Sequence, residues 1–119
     1  MIKIRKMLRK VVSNGTGQNA EINGWDVAGK TGTAQVKAIS KRERELDLKT
    51  FQIPYEERDH ALYVAFGPYK NPRYAVSIIV EHGGSGSSAA APIATELFKL
   101  IVDRHEYRKK LPDYKEFNI

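Results

Sequence analysis

Lys30, Thr31, Gly32 and Thr33 put an ammonium group, two hydroxyls and a bare backbone position into four consecutive residues. Such a set offers positive charge and hydrogen-bond donors to a ligand. On an extended chain Thr31 and Thr33 point the same way, because side chains alternate with period two. A glycine inside a strand weakens it, and often marks a place where a backbone or a ligand comes close. Taken alone, Lys-Thr-Gly is a weak signal, and Lys30 by itself reads more readily as an edge lysine that guards a sheet against aggregation.

The other candidates are thinner. The absence of cysteine excludes disulfides, thiolate metal sites and cysteine catalysis. His60, His82 and His105 show no metal-ligand spacing, so each is expected to be a satisfied structural histidine, and no metal or cofactor is expected. Glu81 and His82 stand beside a glycine loop, where a strand-end role is favoured over one lining a cleft. Gly83-Gly84-Ser85-Gly86 precedes a helix as phosphate loops do, but no Lys-Ser/Thr follows its last glycine.

These residues need elements to position them. A chain of 119 residues, 41% hydrophobic and 29% charged, suits one small globular domain. Ile4, Met7, Leu8 and Val11 have the spacing of one helix face, with basic residues on the others, and Ser13-Asn14-Gly15-Thr16-Gly17 stops that helix. After a turn at Asn23-Gly24, residues 26–36 read as a strand holding the Lys-Thr-Gly segment. Residues 37–58 form a long polar connection with room for a short helix around 41–48. Residues 60–66 and 74–80 read as a β-hairpin, and the second run is apolar at nearly every position, as in a strand covered on both faces. Ser88 is the expected N-cap of a last helix, with Pro92 in its first turn and Ile93, Leu97, Leu100 and Ile101 as its buried stripe. The fold class is therefore α+β, an antiparallel sheet covered by N-terminal and C-terminal helices, with a domain portion at 1–104 and a charged surface tail at 105–119.

The net charge of +6 is concentrated at Lys3, Arg5, Lys6, Arg9 and Lys10 and at Arg104, Arg108, Lys109 and Lys110. Solvated helix faces and ends explain it; attraction to an anionic polymer or membrane surface is the alternative. No apolar run approaches the roughly 20 residues that cross a bilayer. No apolar region follows the basic start, so a signal peptide is not expected there.

The combination and order of motifs carry more weight than any one of them. Val27-Ala28-Gly29-Lys30-Thr31-Gly32-Thr33-Ala34-Gln35 is followed by His60-Ala61, Ala65-Phe66-Gly67-Pro68, Glu81-His82-Gly83-Gly84 and Ala89-Ala90-Ala91-Pro92-Ile93. In this order the chain resembles the C-terminal part of the transpeptidase domain of class B penicillin-binding proteins, of the penicillin-binding protein 2 type, from the first helix to about Val102. The resemblance implies the β-lactamase/transpeptidase-like fold and a peptide or β-lactam held as an added strand along the Lys-Thr-Gly edge. It assigns Lys30 to the proton network around a nucleophilic serine, and the Thr31 and Thr33 hydroxyls to the terminal carboxylate of a peptidoglycan stem peptide. Gly32 keeps the ledge clear, and the Thr33 N–H forms half of an oxyanion hole.

The family's nucleophile motif S-x-x-K and its S-x-N motif both precede Lys-Thr-Gly. Ser13, Ser40, Ser77, Ser85, Ser87 and Ser88 begin neither pattern, and Tyr69-Lys70-Asn71 lies in the hairpin connection, after Lys-Thr-Gly. The expectation is a chain lacking the N-terminal part of the same domain, inactive alone, prone to self-association, and placed on the periplasmic side of the inner membrane only as part of a complete protein. Two alternatives stay open: a β-lactam sensor or β-lactamase fragment, or a small basic binding module. Nucleic acid is not an expected partner, because the aromatics fall mainly within the apolar strands.

Overall fold

The computed structural model describes residues 1–20, 22, 25–38 and 41–112; the expected turn at Asn23-Gly24 and the end of the tail lie outside them. Helix α1 (Ile2–Asn14) leads to strand β1 (Ala28–Ala34), short helix α2 (Lys41–Leu46), strands β2 (His60–Gly67) and β3 (Tyr74–Val80), and helix α3 (Ala91–Lys109). The strands form one antiparallel sheet in the order β1-β2-β3, so β2 is central and β1 and β3 are its edges. Lys30 is paired with Val64 and Val64 with Ser77; Gly32 is paired with Leu62 and Leu62 with Ile79.

The α+β expectation holds, and the strand positions match closely. The covering of the sheet differs. Ala61, Tyr63 and Ala65 are buried, as are Ala90, Ala91, Ala94 and Phe98 at the start of α3. The alanines let the helix approach the sheet closely, and Phe98 fills the space beside Gly67 and Val27. On the opposite face Val64 is 52% exposed and Ile79 64% exposed. Strand β3 therefore alternates instead of being covered on both sides: Ala75, Ser77 and Ile79 lie open. Its nearly continuous apolar run belongs to an edge strand whose residues on this face remain exposed.

The helices need similar correction. In α1 the fully buried residue is Val12, whereas Ile4 and Met7 are exposed. Two basic residues turn inward: Arg5 donates to the Tyr69 carbonyl, and Arg9 donates to the Val27 carbonyl at 3.0 Å and pairs with Asp26 at 3.1 Å. The buried stripe of α3 is Ala91, Ala94, Thr95, Phe98 and His105, while Ile93 and Leu100 face outward. That stripe follows the three- and four-residue steps that α3 needs to lie on the sheet, with small residues where the backbones are closest. Ser88 is not an N-cap, because a π-helical turn at Gly86–Ala90 carries the chain into α3, and Pro92 occupies the first turn of the helix.

The surface tail does not begin at His105. Helix α3 continues to Lys109, and His105 is only 5% exposed, packed against Trp25 and Tyr74 and 3.2 Å from the Tyr74 hydroxyl through Nδ1. The other histidines also have structural partners. The His82 backbone N–H donates to His60 Nδ1, and His82 Nδ1–H donates to the Arg58 carbonyl, each at 3.0 Å. His82 takes a left-handed φ of 54°, which turns the chain at the end of β3.

Two glycine substitutions separate packing from ligand access. A β-carbon on Gly86 would stand 2.5 Å from the Leu62 carbonyl oxygen and 2.7 Å from that of Gly32, both rigid backbone atoms; one on Gly32 would meet nothing nearer than Leu62 Cβ at 3.4 Å. We expect Gly86→Ala to lower stability by about 1–3 kcal/mol in urea denaturation, the usual cost of overpacking. Gly32→Ala should cost clearly less. Equal losses for the two would contradict this packing.

Candidate functional site

The Lys-Thr-Gly segment lies in the middle of β1, an edge of the sheet, as the sequence suggested. An edge strand presents backbone donors and acceptors that a further extended chain can engage. Lys30 is exposed and paired with Val64, so it belongs to the open side of the sheet. Its Nζ donates to the carbonyl of Thr31 at 2.7 Å, folded back along its own strand. Thr31 and Thr33 follow the opposite alternation, Thr31 half-buried and Thr33 exposed. The strand thus carries its cation on one side and two hydroxyls on the other, with Gly32 bare between them.

Both strand glycines have a reason in the structure. At Gly29 a β-carbon would collide with the Tyr63 hydroxyl at 2.5 Å and the Val64 carbonyl oxygen at 2.6 Å. Gly32 lies beside Gly86, so the close approach expected at a strand glycine does occur, and the approaching group is the backbone that leads into α3. The opposite side of Gly32 has space, which leaves the ledge free.

Thr16 is the residue that sequence reasoning missed. Its Oγ1 lies 3.0 Å from Thr31 Oγ1, so a third hydroxyl joins the segment from the turn after α1. The sequence showed Thr16 only as part of a helix stop; its distance from Thr31 along the chain hid the contact. An open apolar recess of about 400 Å³ lies between α1 and the sheet, lined by Leu8, Val64, Phe66, Ala75 and Ser77. It holds almost no polar surface and is suited to packing rather than to chemistry. The long connection is tied down near the other end of the site: Val36 N–H donates to Asp59 Oδ1 at 3.1 Å, Lys37 pairs with Glu57 at 3.2 Å, and the Tyr55 ring leans at a tilt against that of His82. Tyr69-Lys70-Asn71 lies in the hairpin turn.

Comparison with known proteins agrees with this geometry. The family model of the penicillin-binding protein transpeptidase domain matches residues 1–99. The peptidoglycan D,D-transpeptidase MrdA of Haemophilus influenzae is 36% identical over 108 residues, covering 90% of this chain and 15% of the relative. Among solved structures, the D,D-transpeptidase domain of a peptidoglycan glycosyltransferase from Eggerthella lenta aligns with a TM-score of 0.65 at 30% identity, covering 88% of this chain and 20% of that one. Pseudomonas aeruginosa PBP2, solved in complex with WCK 5153, aligns with a TM-score of 0.63 at 32% identity, over 84% of this chain and 19% of that one. The chain spans less than a fifth of the MrdA relative, and among its described residues no helix is long and apolar enough to cross a membrane. The chain therefore belongs to the penicillin-binding protein transpeptidase family as a portion of a PBP2-type D,D-transpeptidase domain.

Proposed function

We propose that this chain forms the substrate-binding wall of a peptidoglycan D,D-transpeptidase and carries out no acyl transfer by itself. The observation that carries this reading is the exposed ammonium of Lys30 on an edge strand, beside a sheet face that lies open. A nucleophilic serine and its base, supplied by the rest of such a domain, would stand over that face. Lys30 then holds the proton network and places positive charge next to the ligand. The stem peptide or a β-lactam lies along β1, with Thr31 and Thr33 toward its carboxylate, and the Thr33 N–H stabilises the oxyanion of the reacting carbonyl. Such a protein works on the periplasmic side of the bacterial inner membrane. The domain portion runs from residue 1 through α3, which continues past residue 104 to Lys109.

The absent partner also explains the apolar surface. Val64 and Ile79 on the sheet, Ile4 and Met7 on α1, and Ile93 and Leu100 on α3 are all exposed. Apolar surface on several faces favours association, and so do the two sheet edges left unpaired among the described residues.

Four outcomes are expected. The isolated chain forms no covalent adduct with a fluorescent penicillin, because capture requires the serine hydroxyl and its adjacent base; a stoichiometric mass increase would refute the reading. In a complete domain carrying this strand, Lys30→Ala slows acylation on the order of 10²-fold or more, the loss expected for one preorganised charged group. Thr31→Val chiefly weakens ligands that bear a carboxylate, and an unchanged acylation rate for Lys30→Ala would show that the ammonium has another role. In sedimentation the isolated chain self-associates; a monodisperse monomer melting cooperatively above roughly 65 °C, the upper end for mesophilic domains, would argue against an incomplete domain.

A further inference from the structure

Thr16 follows α1 in a turn that is fixed from both sides. Gly15 N–H and Gly17 N–H both donate to the Val11 carbonyl, at 3.1 and 2.9 Å, and the Gln18 and Ala20 N–H groups close the next turn on Gly15 and Gly17. Gly17 is buried, and a β-carbon there would press on Val11 Cγ1 at 3.1 Å. The backbone around Thr16 is therefore held firmly, yet its side chain is exposed and ends 3.0 Å from the Thr31 hydroxyl. A hydroxyl placed so rigidly against another at the sheet edge needs an explanation beyond turn formation.

The two hydroxyls share one hydrogen bond, and either can donate. When an anion approaches Thr31, only one arrangement serves it. Thr16 must donate to Thr31 Oγ1, which leaves the Thr31 O–H free to point at the anion. A donor behind a donor also polarises it, so the outer hydrogen bond becomes stronger. We propose that Thr16 is a positioning residue for carboxylate recognition at the Lys-Thr-Gly strand: it fixes the rotamer and proton direction of Thr31 without itself touching the ligand. This inference rests on the substrate-wall reading above. It adds a residue outside the motif, contributed by another element of the chain.

The test uses a complete D,D-transpeptidase domain carrying these residues and two probes, N-acetyl-D-alanyl-D-alanine and the same dipeptide with its carboxylate capped as an amide. Binding is read from the Thr31 and Thr33 amide signals in nitrogen-15 correlation spectra. Thr16→Val removes the hydroxyl while keeping the shape of an exposed side chain, so the fold should persist. Affinity for the free carboxylate should fall about threefold to tenfold, the range of one neutral hydrogen bond. Affinity for the amide should change little, and Thr16→Ser should restore the loss. With Thr31→Val already present, Thr16→Val should have no further effect. Unchanged carboxylate binding in Thr16→Val overturns the proposal while leaving the substrate-wall reading intact. A loss that Ser does not rescue, or that persists without the Thr31 hydroxyl, overturns it as well. A complete wild-type domain that binds neither probe overturns both.

Discussion

The close approach of Gly86 to the seam between β1 and β2 holds this structure together. A side chain at that position would overlap the carbonyl oxygens of Leu62 and Gly32, so the chain can pass only as bare backbone. That passage lets the π-helical turn settle on the sheet and directs Ala90, Ala91, Ala94 and Phe98 onto the central strand. The Lys-Thr-Gly strand is thereby supported from one side at Gly32. A binding edge needs such support, because a strand paired on one side only would otherwise fray when nothing occupies the other. Tyr63 adds to it, with its ring buried over Gly29.

The sheet has a closed face and an open one, and the cations are distributed accordingly. Arg5 and Arg9 are committed: they reach from α1 to backbone carbonyls at Tyr69 and Val27, and Arg9 adds Asp26. A planar guanidinium suits such fixed, forked contacts. Arg5 also lies 5.9 and 5.3 Å from the ring centres of Phe66 and Tyr69, tying the helix to the hairpin end. Lys30 donates to a neighbouring carbonyl on its own strand, and the residue is exposed. A compact ammonium on a flexible stem can leave that contact when a better acceptor arrives. The cations committed to backbone carbonyls across the fold and the exposed one on β1 therefore differ in residue type as well as in place.

The histidines act at the ends of strands. His60 and His82 lie with ring centres 4.7 Å apart, and the His82 backbone donates to His60. This pair, with Arg58 and Tyr55, pins the end of the long connection to the start of β2 and the end of β3. His105 does the corresponding work for α3, closing against Trp25 and Tyr74. Each is placed by its contacts, and none stands on β1.

The order of elements and the Lys-Thr-Gly strand were legible in the sequence because both are local. Period-two runs, glycine-rich turns and a fixed motif order need only near neighbours to be recognised. Which helix face is buried was not legible. Ile4, Met7, Ile93 and Leu100 have the right spacing and chemistry for a core, yet they are exposed, since burial depends on what lies opposite. Small residues, Ala91 and Ala94, took the buried places because the backbones come too close for larger ones. His105 looked like the start of a charged tail until Trp25 and Tyr74, distant in sequence, closed around it. The Thr16–Thr31 contact and the Gly32–Gly86 approach likewise join segments far apart along the chain. The sequence by itself determined the elements, their order and the motif at the edge; tertiary structure decided which sides are covered, because coverage belongs to pairs of surfaces that no single stretch of sequence contains.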